Sequence, residues 1–293
     1  MKSQTAPGLR RTVLSRRGVW LTGSVSTGRR PRIFAALYAD PSVLLPFILI
    51  GFAAQLVDGA LGMAFGQLSS TMLITMGVPP AATSAGVHIA ETFTTAVSGI
   101  SHVAHRNVDW RLFFRIVIPG VIGGVLGAYV LTQIKADTAR PFVLVYLTAL
   151  GLYLFYRGIM HRHTERRPKV VEPLGLAGGF LDAAGGGGWG AIVTTNLLVQ
   201  GSNPRKTIGT VNTAEFFLTI TISATFLTTL TFAGTAEDME LLLKATVGLL
   251  IGGVLAAPFG AMIAKRVNPD LLLTFVGALV TVTSSYALYR ALA

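Results

Sequence analysis

Eight apolar stretches, at about 43–76, 81–104, 112–134, 141–160, 174–200, 207–233, 241–264 and 270–292, occupy most of this 293-residue chain. About 20 apolar residues cross a bilayer as a helix. In lipid every backbone polar group must be satisfied within the chain, which leaves helices and closed barrels. A barrel would show segments of about 10 residues alternating in polarity, and these stretches do not alternate. The expectation is an all-α, polytopic helical membrane protein with about eight membrane segments, some broken or re-entrant. Composition agrees: 13% of residues are charged and 52% hydrophobic, against about 25% charged in soluble domains. That leaves too little polar surface for a cytosolic enzyme or a nucleic-acid-binding domain.

The net charge of +11 has to be located before it is read. Residues 1–40 hold eight basic residues (Lys2, Arg10, Arg11, Arg16, Arg17, Arg29, Arg30 and Arg32) against one acid, Asp40. The basic excess is therefore mostly a tail. Ser15-Arg16-Arg17-Gly18-Val19-Trp20-Leu21 superficially resembles a twin-arginine signal, but no adequate apolar stretch with a small-residue cleavage site follows. A disordered cytoplasmic tail facing the anionic leaflet fits the composition; a misassigned start or an organellar targeting segment is the alternative. The chain has no cysteine, so disulfides, cysteine zinc sites, Fe–S clusters and thiol nucleophiles are excluded.

Lysine and arginine in short loops face the cytoplasm. The tail and the loop at about 157–173 (Arg157, Arg162, Arg166, Arg167, Lys169) both read as inside, which asks for an even number of crossings in the first half. Arg205-Lys206 and Lys265-Arg266 also look cytoplasmic, with Glu237, Asp238 and Glu240 between them. Placing both pairs inside requires 174–200 to enter and leave on one side as a re-entrant hairpin. The choice is eight crossings, or about seven plus a hairpin. The expected division is a tail at 1–40, a first membrane repeat at 41–160, a basic cytoplasmic loop at 161–173 and a second membrane repeat at 174–293.

The repeat is a duplication at an offset of 124 residues, aligning 51–95 on 175–219 without a gap. Matched pairs include Gly51/Gly175, Asp58/Asp182, Gly62/Gly186, Gly66/Gly190, Thr71/Thr195, Pro80/Pro204, Thr83/Thr207 and Glu91/Glu215. After a five-residue insertion, Gly123-Gly124-Val125-Leu126 matches Gly252-Gly253-Val254-Leu255. Chance apolar similarity would not keep two acids in register. Two-fold repeats in an apolar chain mark secondary transporters, with the substrate site where the repeats meet. An odd number of crossings per repeat would make the halves inverted, an even number parallel.

Of the 13 acids, Asp270 stands at the very start of the last apolar stretch, and only four lie in the interior of one: Asp58, Glu91, Asp182 and Glu215. An intramembrane carboxylate costs a few kcal/mol and marks function by default. A carboxyl held out of water can gain and lose a proton as its surroundings change, and so carry it across. All four are candidate proton-coupling groups. Asp58 and Asp182 precede glycine-rich breaks, where capping of freed backbone amides is the competing role. Gly59-Ala60-Leu61-Gly62-Met63-Ala64-Phe65-Gly66 is matched by Ala183-Ala184-Gly185-Gly186-Gly187-Gly188-Trp189-Gly190. Four consecutive glycines cost a helix about 1 kcal/mol each, so these segments should be unwound. Freed amides with a half-helix N-terminus can cradle an anion; close packing through small residues is the other reading. The candidate binding set is Gly62, Gly66, Gln67, Ser69, Ser70 and Thr71 in one half. In the other it is Gly185, Gly186, Gly187, Gly188, Thr194, Thr195 and Asn196.

His88 aligns with Asn212, each three residues before its glutamate and on the same helix face. His88 could relay protons, bind an oxyanion or be a satisfied structural histidine; both residues join the binding set. His102 and His105 lie near loops, and His161-Arg162-His163 is too sparse for a metal site. Trp110 suits an interfacial anchor. No phosphate loop, catalytic triad or zinc-peptidase helix is present, so neither enzyme activity, cofactor nor metal is expected.

Residues 51–63, Gly77-Val78-Pro79-Pro80 and His88-Ile89-Ala90-Glu91 resemble the sulfite exporter TauE/SafE family, also called the toluene-sulfonate uptake permease family. So does the run from Gly178-Gly179-Phe180-Leu181-Asp182 through Asn203-Pro204 to Asn212-Thr213-Ala214-Glu215. The resemblance covers roughly 45–292 and leaves the basic tail outside. It implies a duplicated permease for small sulfur oxyanions or organosulfonates, with export of sulfite or sulfoacetate the usual assignment. The expectation is a multi-pass carrier of the inner (plasma) membrane, coupled to protons, whose partners are a small anion, protons and the lipid bilayer. It leaves room for a homo-oligomer and none for nucleic acid. The alternative is a Ca²⁺ or Na⁺ carrier built on the duplicated acids.

Overall fold

The computed structural model describes residues 44–61, 63–160, 168–233, 236–264 and 268–293. The tail at 1–40, with its targeting readings, and most of the loop at 161–173 lie outside them. All elements among the described residues are helical: α1 (Leu45–Leu61), α2 (Phe65–Thr75), α3 (Pro80–Ala104), α4 (Trp110–Gln133), α5 (Ala136–Ile159), α6 (Glu172–Gly185), a π-helical turn (Gly190–Thr194), α7 (Thr195–Val199), α8 (Pro204–Ala233), α9 (Ala236–Ala264) and α10 (Pro269–Leu292). Local sequence sets several ends. Pro80 and Pro269 sit in first turns, where the missing N–H costs nothing. Asp109 caps α4 through the amides of Arg111 and Leu112. Gly186 closes α6 at φ 77°.

Glycines determine which helices touch. Gly120, Gly123 and Gly127 of α4 lie directly on the backbone of Gly179, Leu176 and Phe180 in α6. Gly248 and Gly252 of α9 lie on Phe47 and Ile48 of α1. Small residues let backbones approach closely where lipid supplies no hydrophobic drive between helices. The contacts run from Ile116 on Gly175 to Gly127 on Phe180 in one pair and from Gly248 on Phe47 to Gly252 on Phe52 in the other, so each pair runs parallel. Two other pairs run the opposite way. In α3 and α8, Ser98 bonds Asn212 at 3.1 Å while His88 stacks on Phe226 with ring centroids 6.4 Å apart. In α5 and α10, Thr148 bonds Ser284 at 3.0 Å and Gly158 lies on Thr274.

These directions fix two faces. One carries the 105–109 turn, residues 168–172 and residues 200–207: Arg205 Nε donates to Asn107 Oδ1 at 2.7 Å and Lys206 Nζ to the Arg106 carbonyl at 2.7 Å. The other carries the starts of α1, α3, α5 and α9 and the C-terminus. Six long helices (α3, α4, α5, α8, α9, α10) run between the faces. The pairs α1–α2 and α6–α7 enter and return. Gln200 shows this directly, accepting at Oε1 from the amides of Lys169 and Val170, both at 2.9 Å. Among the described residues, the broken and re-entrant segments expected are present, as two hairpins beside six long helices rather than one hairpin at most. The described chain also begins on the face opposite the end of α5, so the even crossing number expected of the first half is not what its helices give. Among the described residues, four helices meet length and apolarity for a span on their own, Trp110–Gln133, Ala136–Ile159, Pro204–Leu230 and Asp270–Leu292. Large apolar side chains face outward, among them Val97, Phe142 and Val282, each about 70% exposed, as a multi-pass membrane protein requires.

Candidate functional site

The sequence breaks two helices midway and puts an aspartate at each break. Asp58, near the end of α1, accepts the amides of Ala64 at 2.8 Å and Phe65 at 3.2 Å, at the entry to α2. Asp182 accepts the Trp189 amide at 2.8 Å, while its own carbonyl takes the Gly187 amide at 2.8 Å. Phe65 and Trp189 are related by the same 124-residue offset as the two aspartates. Each carboxylate therefore satisfies amides that a broken helix leaves bare, which is the capping role.

The two breaks meet. Gly186, Gly187 and Gly188 hold φ of 77°, 139° and 151°, values that side-chain-bearing residues rarely adopt. Gly187 lies against Gly66, whose added Cβ would stand 2.8 Å from Gly187 Cα. The carbonyls freed by unwinding are taken by hydroxyls. Ser70 donates to Gly186 O, Ser84 to Ala183 O at 2.7 Å and Tyr146 to Gly187 O at 3.0 Å. Following the break, Gly190–Thr194 forms the π-helical turn, a form that recurs at functional sites.

Around this junction stand the other acids. Glu91 on α3 is buried, with its Oε1 close against Gly66 in the first turn of α2, 3.0 Å from where a Cβ there would stand. Its carboxyl lies within electrostatic reach of Glu215, Asp182 and Asp58, so all four sequence-picked acids gather in one place. Glu215 on α8 is half-buried and accepts no hydrogen bond among the described residues. The counterpart of Gly66 there is Gly190, where the π-helical turn starts, and this breaks the symmetry of the two glutamates.

His88 faces Asp182 rather than Glu91. Its Nε2 is 3.0 Å from Asp182 Oδ2, with both side chains buried. Its Nδ1 lies 2.7 Å from the Ser84 carbonyl oxygen. A carbonyl only accepts, so Nδ1 carries a hydrogen. Contact between Nε2 and Oδ2 then requires one further proton, shared by histidine and aspartate. The pair is buried in the core and present in only one repeat, because Asn212 stands at the position matching His88.

The remaining candidates divide. Gln67, Ser69 and Thr71 are buried on α2, and the hydroxyls of Ser69 and Thr71 have no partner among the described residues. Ser70 is committed to Gly186. Gly185 packs on Tyr146. Thr194 is buried, Thr195 points at the Met63 sulfur at 3.7 Å, and Asn196 bonds the Ile192 carbonyl at 2.7 Å within its own turn. Asn212 accepts from Ser98, one helix away from the junction. Gly62 lies outside the described residues. Among those residues, no three His, Cys, Asp or Glu side chains are placed to hold a metal ion. Sequence reasoning missed Ser84 and Tyr146. Ser84 lies four residues before His88, so helical spacing could have found it; Tyr146 belongs to a different helix and left no signal.

The family model for "Sulfite exporter TauE/SafE" matches residues 47–287. A "Probable membrane transporter protein YtnM" of Bacillus subtilis (strain 168) is 40% identical over 253 residues, covering 84% of this chain and 82% of that protein. "Sulfite exporter TauE/SafE family protein 3" of Arabidopsis thaliana is 22% identical over 111 residues, 38% of this chain and 23% of that protein. No solved structure matches the chain significantly.

Proposed function

Because this chain belongs to the sulfite exporter TauE/SafE family of membrane transporters, we propose that it is a secondary carrier for a small sulfur oxyanion or organosulfonate, such as sulfite or sulfoacetate, exporting it across the inner (plasma) membrane with proton coupling. The observation that carries the reading is the junction of two broken helices with the Glu91 carboxyl packed against Gly66. An ionised Glu91 sets a negative charge where an oxyanion would approach the freed amides. A protonated Glu91 removes it. Anion and proton then bind together, with Ser69, Thr71 and the glycine amides completing the cradle. The membrane potential, negative inside, expels net negative charge with about 2.3 kcal/mol per charge per 100 mV, and a proton leaving with the anion subtracts one charge from that drive, so the pair must stay net negative to be driven out by it. Glu91 and Glu215 serve as the coupling acids, one of them packed against the break. The two hairpins, entering from opposite faces, are the parts that open the buried junction alternately.

Reconstitution in liposomes tests this. Sulfite and sulfoacetate flux should respond to a pH gradient in the parent protein and lose that response in Glu91→Gln. Flux that ignores the gradient in the parent rejects the coupling. A second reading, a Ca²⁺ or Na⁺ carrier, draws on the three other carboxyls within electrostatic reach of Glu91. It predicts cation flux without anion flux in the same vesicles.

A further inference from the structure

Two side chains of α3, one turn apart, grip the break at the end of α6. Ser84 Oγ donates to the Ala183 carbonyl at 2.7 Å, and His88 Nε2 meets Asp182 Oδ2 at 3.0 Å. The side chains of Ser84, His88 and Asp182 are all buried. The Ala183 carbonyl depends on its serine. In a continuous helix the amide four residues on, that of Gly187, would serve it. Here that amide goes to the Asp182 carbonyl at 2.8 Å. The other repeat has no such grip. Its matching positions on α8 are Ile208 and Asn212, and Asn212 accepts from Ser98 at 3.1 Å.

The two grips are linked through one hydroxyl. His88 Nδ1 lies 2.7 Å from the Ser84 carbonyl oxygen and 3.3 Å from Ser84 Oγ. A serine hydroxyl has a single hydrogen, so it serves Ala183 or His88 and not both. While the ring shares a proton with Asp182, Nδ1 keeps its own hydrogen on the Ser84 carbonyl. The hydroxyl is then left to Ala183.

Loss of the shared proton to water leaves the imidazole with one hydrogen. Kept on Nδ1, it would set the Nε2 lone pair against the Asp182 carboxylate. Kept on Nε2, it preserves the bond to Asp182 and turns Nδ1 into an acceptor. Among the described residues the donor within reach of that nitrogen is Ser84 Oγ. The hydroxyl swings to the ring, and the Ala183 carbonyl is left buried without a donor, which destabilises the closed break.

We propose that Ser84, His88 and Asp182 form a proton-controlled latch on the second hairpin, closed while the shared proton is in place and released at the Ala183 carbonyl when it leaves. Ser84 and His88 are then positioning residues, acting on the hairpin. The consequence for flux rests on the transport reading; the latch itself does not. Other ionisable groups face the pair. Glu91 on α3, Glu215 on α8 and Tyr146 on α5 lie within electrostatic reach of Asp182, and Asp58 on α1 within reach of both glutamates. Arg115 of α4 is held by Glu172 at the far end of α6, and Lys244 of α9 by Glu240. A pH response alone therefore does not single out the latch; its dependence on the Ser84 hydroxyl does.

The test uses the full chain in nanodiscs, without substrate, over about pH 5 to 8, where histidines change charge. Solid-state NMR of isotope-labelled histidine reads the His88 ring, assigned by the signal missing in His88→Gln. Hydrogen exchange, corrected for its intrinsic rate, reads the 182–189 segment. On raising the pH, His88 should lose the Nδ1 hydrogen and keep that on Nε2. Exchange at the break should rise about tenfold over the same range, as when one buried hydrogen bond opens. Ser84→Ala should exchange fast at every pH while the ring still changes, and Ser84→Thr should restore the parent's profile. His88→Gln, whose amide donates to Asp182 without titrating, should give a flat profile. A ring that keeps its Nδ1 hydrogen throughout, or a Ser84→Ala profile that follows the parent's, would overturn the latch. Exchange as expected beside flux that ignores a pH gradient would uphold the latch and reject the coupling instead.

Discussion

A methyl group added at Gly187 would lie 2.5 Å from the Gly66 carbonyl carbon, 2.6 Å from Gly66 Cα and 2.8 Å from Gln67 N. All three are backbone atoms that cannot turn aside, and φ at Gly187 is already 139°. Gly77 has φ 98° but nothing within 4 Å of an added Cβ. The two alanine variants therefore separate conformational strain from collision. Gly77→Ala should lose only the strain, about 1 kcal/mol. Gly187→Ala should lose about 3 kcal/mol or more, together with transport, by thermal unfolding in detergent and flux in liposomes. Equal stability of the two variants would show that the breaks do not touch as described. The His88–Asp182 pair makes a second residue-scale prediction. Removing one partner leaves a buried, half-satisfied group, which costs about 3–5 kcal/mol. His88→Ala should therefore be strongly destabilising, and adding Asp182→Asn to it should cost far less than the sum of the two single changes. Additive losses in that cycle would deny the shared proton.

At the scale of elements, the breaks in two helices were legible because glycine runs and duplicated aspartates are local signals. Asp58 and Asp182 each cap the segment that follows, on amides six or seven residues ahead. Removing that acceptor, as in Asp58→Ala, should cost about 1 kcal/mol, and Asp58→Asn less, because an amide oxygen still accepts. What the sequence could not reveal was partnership across long separations. His88 was placed beside Glu91 by helical spacing, yet its ring is turned to Asp182, 94 residues away. Tyr146 and Ser84 hold the glycine carbonyls from other helices, and no periodicity announces a contact of that kind. The α6–α7 hairpin can be tested on its own, since the chain has no native cysteine to obscure labelling. Lys169→Cys and Ser202→Cys should react with an impermeant maleimide from the same side of oriented vesicles, because Gln200 ties the two ends together. Labelling from opposite sides would make 174–200 a true crossing.

For the whole molecule, the apolar stretches left the relation between the halves undecided, since hydropathy counts segments without giving their direction. The helix pairs decide it. Helices α3 and α8 are counterparts in the two repeats, as are α5 and α10, and both pairs run antiparallel. A two-fold axis that reverses helices lies across them, so the halves are inverted once the long helices are set across a bilayer. The crossed packing of α1 on α9 and α6 on α4 follows the same relation, each first helix resting on the fourth helix of the other repeat. Inversion places equivalent loops on opposite sides, which is what lets one junction serve two faces. Its consequence can be measured. His105 lies on the face of the basic loops and Asp137 on the other, and both are exposed. In the oriented vesicles, His105→Cys should label from the side that labels Lys169→Cys. Asp137→Cys and a cysteine replacing the C-terminal Ala293 should label together from the opposite side. If His105→Cys and Asp137→Cys react from one side, α4 does not cross, the repeats are not inverted, and alternate opening of a single central junction loses its geometric basis.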